Sequence, residues 1–333
     1  MGHEPHTSDD GFERLPFPEY ARLEALVAAA TPYARLQTLG EVSHGHHRYP
    51  LQALVFGSDD RTLPCVGFFA GVHGLEKIGT HLALAYLSAF VGRLQWDQYL
   101  RNLLQHCRLV TVPLVNPLGM LMRRRSNANG VDLMRNAPVE AEHNRHWPIS
   151  GQRLSTRIPW YRGRKNAPMQ LEARAIADFV QTEMFPSRYG LTLDLHSGFG
   201  ATDRLWYPYA RTVQPFPYLD QARLLAQRLR ITHPYHVYQV EAQSDSYLAH
   251  GDLWDYLVDL HVAANPEGER VLLPWTLEMG SWLWVRKNPL QLFDLLGPFN
   301  PIRPHRYRRT LRRHWNLLEF FLHAAANHDR WGN

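Results

Sequence analysis

At 333 residues and 45% apolar content, the chain is long enough for one large α/β domain with insertions, and two cysteines exclude a disulfide framework. Its net charge of +5 is mild and gathers in two basic clusters, which argues against a nucleic-acid-binding field. No run of about 18 apolar residues suggests a membrane span and no signal-peptide core opens the chain, so a soluble cytoplasmic protein is expected, whose metals would rely on histidine and carboxylate.

Residues 1–17 are polar and proline-punctuated, an arm rather than an element. From Pro18 to Ala30 the pattern turns helical, with Leu23, Leu26 and Val27 on one side, and Thr31-Pro32 ends it. His44, His46 and His47 follow in a Gly-containing stretch without a carboxylate or cysteine at fixed spacing, and read as turn residues rather than ligands. Arm, helix and loop make up residues 1–50, packed on a core formed by a single catalytic domain over 51–333.

Within that domain Leu51–Phe56 reads as a strand. Cys65–Ala70 is a short continuous apolar run of the kind that suits a strand buried on both faces. It gives way to Gly71-Val72-His73-Gly74-Leu75-Glu76, after which Ile78, Leu82, Leu84, Leu87 and Phe90 recur at helical spacing. A second amphipathic stretch near Trp96–Gln105 precedes another buried-type strand, Cys107–Val115, so the order is that of a parallel βαβ unit. The Asn-, Gly- and Arg-rich segment 123–136 is too polar for core and reads as a loop presenting guanidiniums. Residues 137–167 form a long irregular excursion, and a helix spans Pro168 to Met184. Strands are expected at Leu191–Leu195, ending in His196, at Arg204–Tyr207 and at Tyr235–Val240, with a helix at Tyr218–Arg230 between the last two. A further strand, Val271–Leu277, delivers Glu278 at its end, with Pro274 suggesting an edge or a bulge. The tail helix, Arg303–Asn327, carries Arg306, Arg308, Arg309, Arg312 and Arg313 in its first half. The fold class is α/β: three layers, α/β/α, around a mixed, largely parallel sheet.

Taken alone, His73 and Glu76 are a loop histidine and a helix N-terminal carboxylate. They gain meaning because His196 and Glu278 also stand at strand ends, and in open α/β sheets the carboxyl ends of the strands converge on one crevice. Two histidines and one glutamate would leave a fourth zinc position open, the arrangement of a catalytic site.

His73-x-x-Glu76, the loop ending Asn129-Gly130-Val131-Asp132-Leu133-Met134-Arg135-Asn136, the distant His196 and the Thr276-Leu277-Glu278-Met279-Gly280 strand end resemble the zinc carboxypeptidase family, carboxypeptidase A-like in order and spacing. The Gly-Val-His-Gly-x-Glu wording is also similar to the related aspartoacylase and succinylglutamate desuccinylase branch. The resemblance implies one zinc ion on His73, Glu76 and His196, with Glu278 as general base and Asp132 holding the His73 ring in its metal-binding tautomer. It implies Arg125, flanked by Arg124 and Arg123, as the group that polarises the scissile carbonyl. Arg135 would clamp a terminal carboxylate and Tyr256 would be the mobile lid tyrosine. Met134 departs from the family, which has Asn immediately before the clamping arginine.

The resulting expectation is a zinc hydrolase of an amide bond beside a free carboxylate, acting on peptides, with N-acyl amino acids as the alternative substrate. Nucleic-acid binding through the tail arginines is the reading from another class, and a solvated helix face accounts for those residues more simply. A zinc-binding pseudoenzyme is the third.

Overall fold

The computed structural model describes residues 17–143 and 145–332, so most of the expected N-terminal arm lies outside the described residues. Eight strands form one sheet: β1 (Ala34–His44), β2 (His47–Phe56), β3 (Cys65–Ala70), β4 (Arg108–Val112), β5 (Tyr189–Ser197), β6 (Arg204–Tyr207), β7 (Gln239–Ala242) and β8 (Val271–Met279). Their spatial order is β1-β2-β4-β3-β5-β8-β6-β7. The β4-β3-β5-β8 centre is parallel, and antiparallel pairs flank it on both sides.

Helices α1 (Pro18–Ala30), α2 (Lys77–Leu94), α3 (Gln98–Leu103), α4 (Pro117–Leu121), α5 (Leu171–Glu183), α6 (Leu219–Thr232), α7 (Leu253–Ala263), α8 (Trp282–Val285) and α9 (Pro304–Ala326) complete the described elements. The strand alternation sorts side chains between two cores. Phe68, Leu193 and Leu273 face the core shared with α1, α2 and α9, whereas Phe69, Val110 and Leu272 face the one shared with α5 and α7. This is the three-layer α/β/α architecture expected.

The segment read as a loop is a strand. β1 pairs antiparallel with β2, its bonding shifts register between Thr38 and Glu41, and His44 and His47 face each other across the hairpin end. The division after residue 50 therefore falls inside β2, because β1 is an edge strand whose outer face is solvated and shows no apolar run. His44 and His46 are exposed, and among the described residues no metal-competent cluster includes them. Pro274 stands at a local edge: β8 is flanked by β5 and β6, but β6 pairs only with Thr276, Leu277 and Glu278, so at the proline β8 has a ladder only to β5.

Packing fixes the site from behind. Glu19 of α1 accepts from Lys77 Nζ at 3.0 Å and contacts His81 Nε2 at 2.9 Å, tying α1 to the first turns of α2. Gly79 lets α2 approach β5 so closely that a Cβ there would overlap the Leu195 carbonyl. On the opposite face Arg108, fully buried at the head of β4, pairs with Glu183 of α5, and Arg35 and Arg61 add to that carboxylate. Among the described residues no helix is long and apolar enough to cross a membrane.

Candidate metal centre

Where β3 ends, the chain turns through Gly71, in the left-handed region at φ 71°, and the turn closes with Glu76 N–H donating to His73 O at 3.0 Å. Helix α2 begins only at Lys77, so the two residues share a tight turn rather than a helix face. On β5, residue 196 lies beside residue 278 of β8 in the parallel register, which carries His196 and Glu278 to the same crevice. His73, Glu76 and His196 are buried, with potential ligand atoms all within 4.8 Å of one another.

Hydrogen bonds hold this cluster in place. Glu76 Oε2 accepts from Ser197 N–H at 3.0 Å and lies 3.2 Å from His196 Nδ1. Its other oxygen accepts from Arg125 Nη1 at 3.0 Å. The same guanidinium donates through Nε to Asp132 Oδ2 at 2.8 Å and stands 2.7 Å from His73 Nε2 through Nη2. Arg125 is thus the member of the Arg123-Arg124-Arg125 run that reaches the centre, and it rests against the ligand cluster. Asp132 lies 3.8 Å from His73 Nδ1, which has no hydrogen-bond partner, so it approaches the ring without bonding it.

Burial and the Arg125 charge hold the His73 imidazole neutral, down to about 4. Burial alone would raise Glu76, but His73, His196 and Arg125 outweigh it and bring the carboxyl to about 2. For His196, too, burial opposes the charged form, and Asp194 and Glu76 overcome it, raising the imidazole well above its ordinary value. Burial, then the Glu76 carboxylate, pushes Glu278 up to about 8 against the pull of His196 and Arg125.

Arg135 is buried behind the cluster. It donates to Met134 O at 3.0 Å, to Ile149 O at 3.3 Å and to the Tyr247 hydroxyl at 3.2 Å. Among the described residues no carboxylate lies within ion-pair distance of it, and its guanidinium shares a cavity of about 20 Å³ with His73, His196, Tyr247 and Glu278. Gly251, at φ 68°, permits the approach of loop 243–252, since a Cβ there would overlap the Arg135 carbonyl. Met134 packs into the core shared with α5 and α7 and also borders the cavity, where it brings no hydrogen-bond donor of the kind an Asn would.

The structure corrects one residue. Tyr256 sits on α7 against the core of Leu253 and Leu257 and does not line the cavity, whereas Tyr247 does. Tyr247 stands where Gln243–Asp245 forms a single 3-10 turn and the chain doubles back towards Arg135. Sequence reasoning also missed Asp194, whose Oδ2 lies 2.9 Å from His196 Nε2 and accepts from Trp254 Nε1 at 2.9 Å. Its signal was available: residues i and i+2 of a strand share a face, so Asp194-x-His196 is a carboxylate behind a candidate ligand.

A zinc ion fits this donor set. Two imidazoles and a carboxylate are its usual ligands, and His73 retains an unpartnered buried nitrogen.

Comparisons with known proteins converge on the same chemistry. A family model described as zinc carboxypeptidase matches residues 22–268, a span that contains His73, Glu76 and His196 and stops before Glu278. Mouse carboxypeptidase M is 25% identical over 207 residues, 58% of this chain and 40% of that protein. The chain spans less than half the length of the curated relatives it matches. Among solved structures, thrombin activatable fibrinolysis inhibitor superposes with a TM-score of 0.67 at 19% identity, covering 92% of this chain and 73% of the other. Carboxypeptidase A from Helicoverpa armigera gives 0.64 at 20%, covering 91% and 71%. These two likenesses establish the shared fold. With the family model covering most of its length, the chain belongs to the zinc carboxypeptidase family.

Proposed function

We propose that the protein removes the terminal residue of peptides by hydrolysing the amide bond next to a free carboxylate, with His73, Glu76 and His196 holding zinc and Glu278 as general base. The observation that carries this reading is Arg135: a buried guanidinium without a carboxylate partner among the described residues, lining the cavity that also holds the ligand cluster and Glu278. A substrate carboxylate would supply the missing partner through charge-assisted hydrogen bonds, with the Tyr247 hydroxyl beside it.

Zinc, when bound, supplies a Lewis acid that acidifies water and polarises a carbonyl. The protein's own groups do the rest. Glu278, which lines the same cavity as His73 and His196, takes the proton of the attacking water and returns it to the departing amine. Arg125, already oriented by Asp132, lies beside the ligand cluster and can stabilise the developing oxyanion. The carboxypeptidase names of the relatives support peptides over N-acyl amino acids as substrates.

The test is a zinc-loaded protein offered peptides that differ only in a free or amidated terminus, alongside N-acyl amino acids. Turnover confined to free-carboxylate peptides is expected. Equal turnover of amidated peptides would remove Arg135 from its role, and deacylation without peptide cleavage would overturn the peptidase reading.

A further inference from the structure

A cavity of about 520 Å³ opens beside the metal centre, and Arg125 borders both spaces. Arg124, Arg125 and Arg157 bring three guanidiniums to its lining against a single carboxylate, Asp132, which is buried and already engaged by Arg125. Arg124 and Arg157 are exposed, and among the described residues neither side chain has a hydrogen bond or ion pair. The cavity therefore presents positive charge that the chain itself does not neutralise.

Both walls are built. On one side the buried Asn127 carboxamide accepts from Asn129 N–H at 3.0 Å and Val131 N–H at 3.1 Å, and donates to Gln170 and Glu172. On the other, the buried Gln152 carboxamide donates to the carbonyls of Ser155 and Ile158, each at 2.8 Å, and accepts from Leu154 and Ser155 N–H. Trp160 is held at φ 63°, a left-handed conformation that a bulky side chain adopts only under constraint. Its carbonyl accepts from Gln152 N–H at 2.9 Å, and the Arg125 guanidinium lies 6.0 Å from its ring. The backbone around the cavity is thus held by buried carboxamides, while the guanidiniums of Arg124 and Arg157 are left free to meet a ligand.

The position of this space relative to Arg135 gives it a meaning that rests on the peptidase reading above. With the terminal carboxylate at Arg135 and the scissile carbonyl between Glu278 and the ligand cluster, the acyl side of the substrate leaves past Arg125, into this cavity. We propose that it is a subsite for acidic residues upstream of the scissile bond, so that the protein prefers peptides carrying Glu or Asp in the two positions before the residue it removes.

The experiment uses N-terminally blocked peptides with one common terminal residue preceded by Glu-Glu, Gln-Gln or Lys-Lys, and the zinc-loaded protein. Two partly exposed charge contacts amount to about a tenfold advantage in kcat/KM of Glu-Glu over Gln-Gln, carried by KM and shrinking as salt rises. The double variant Arg124→Gln/Arg157→Gln should lose most of that ratio, and Arg124→Glu/Arg157→Glu should turn the preference towards Lys-Lys. Equal rates on Glu-Glu and Gln-Gln, or a ratio that survives both variants, would overturn the subsite and leave the peptidase reading standing. If no peptide is cleaved, the peptidase reading falls instead. Direct binding of labelled peptides then decides the subsite: about tenfold tighter binding of Glu-Glu supports it, and equal binding overturns it.

Discussion

Replacing Asp194 by Asn should weaken zinc binding by about 10- to 100-fold while leaving the protein folded. The Asp194 side chain is buried, and its Oδ2 accepts from the Trp254 indole N–H and stands in ion-pair contact with His196 Nε2, each at 2.9 Å. A carboxylate only accepts hydrogen bonds, so the proton on Nε2 stays and the one on Nδ1, 3.2 Å from Glu76, is the proton a metal displaces. The carboxamide of Asn, with its oxygen in the place of Oδ2, still accepts from Trp254 and faces Nε2 but brings no negative charge, so it supports His196 less well as a metal ligand. The affinity loss corresponds to about 1.4–2.8 kcal/mol. Stability of the metal-free protein should fall by only about 1 kcal/mol, because the Trp254 bond is kept. Zinc competition against a chromogenic chelator measures the first quantity and urea denaturation the second. A folded Asp194→Asn protein with undiminished zinc affinity would refute the orienting role.

Glu278→Gln should retain stoichiometric zinc by metal analysis and lose turnover by at least about a hundredfold, whereas His196→Ala should lose both; an active Glu278→Gln protein would remove the proposed base. Tyr247→Phe deletes a hydroxyl bonded to Arg135 and should cost about tenfold in kcat/KM on free-carboxylate peptides, with Tyr256→Phe within about twofold of wild type; the reverse ranking would restore Tyr256. Glu19 is pushed up by burial but held down to about 2 by the His81 hydrogen bond and Lys77. A depressed carboxyl stabilises the fold above its unfolded value near 4.5 and loses that contribution as pH falls towards 2. Wild type should therefore exceed Glu19→Gln by about 2 kcal/mol in urea at neutral pH, a gap that narrows below about pH 5; a pH-independent gap would count against the pairing.

The residues of the candidate metal site were legible because of how each is delivered. Cys65–Ala70, Leu191–Leu195 and Val271–Leu277 are buried on both faces, so they appear as apolar runs, and the polar residue that ends each run stands out. The same rule hid Asp194. It lies inside the apolar run between Leu193 and Leu195, where a strand pattern absorbs a single polar residue, and only the shared face with His196 distinguishes it. Strand β1 was illegible for the opposite reason, since an edge strand with a solvated outer face has no run to display. Tyr247 depends on the path of loop 243–252, which is set by Gly251 passing over the Arg135 backbone, a tertiary contact that no local pattern encodes.

What makes these separate deliveries one site is register. Side chains alternate along a strand, so a slip of one residue between β5 and β8 would send either His196 or Glu278 to the opposite face of the sheet. The parallel pairing runs unbroken over nine positions, from Tyr189 beside Val271 to Ser197 beside Met279, and the apolar residues between enforce it by burial on both faces. Helix α2 closes the third side, because Gly79 lets it sit against Leu195, one residue before the histidine, with Glu76 at its start. The buried strands therefore act as the rulers of the metal centre. The loops at their ends, free of that constraint, are where the cavity-lining residues Arg124, Arg157 and Tyr247 lie, and where this chain can differ from its relatives without disturbing the cluster of His73, Glu76 and His196.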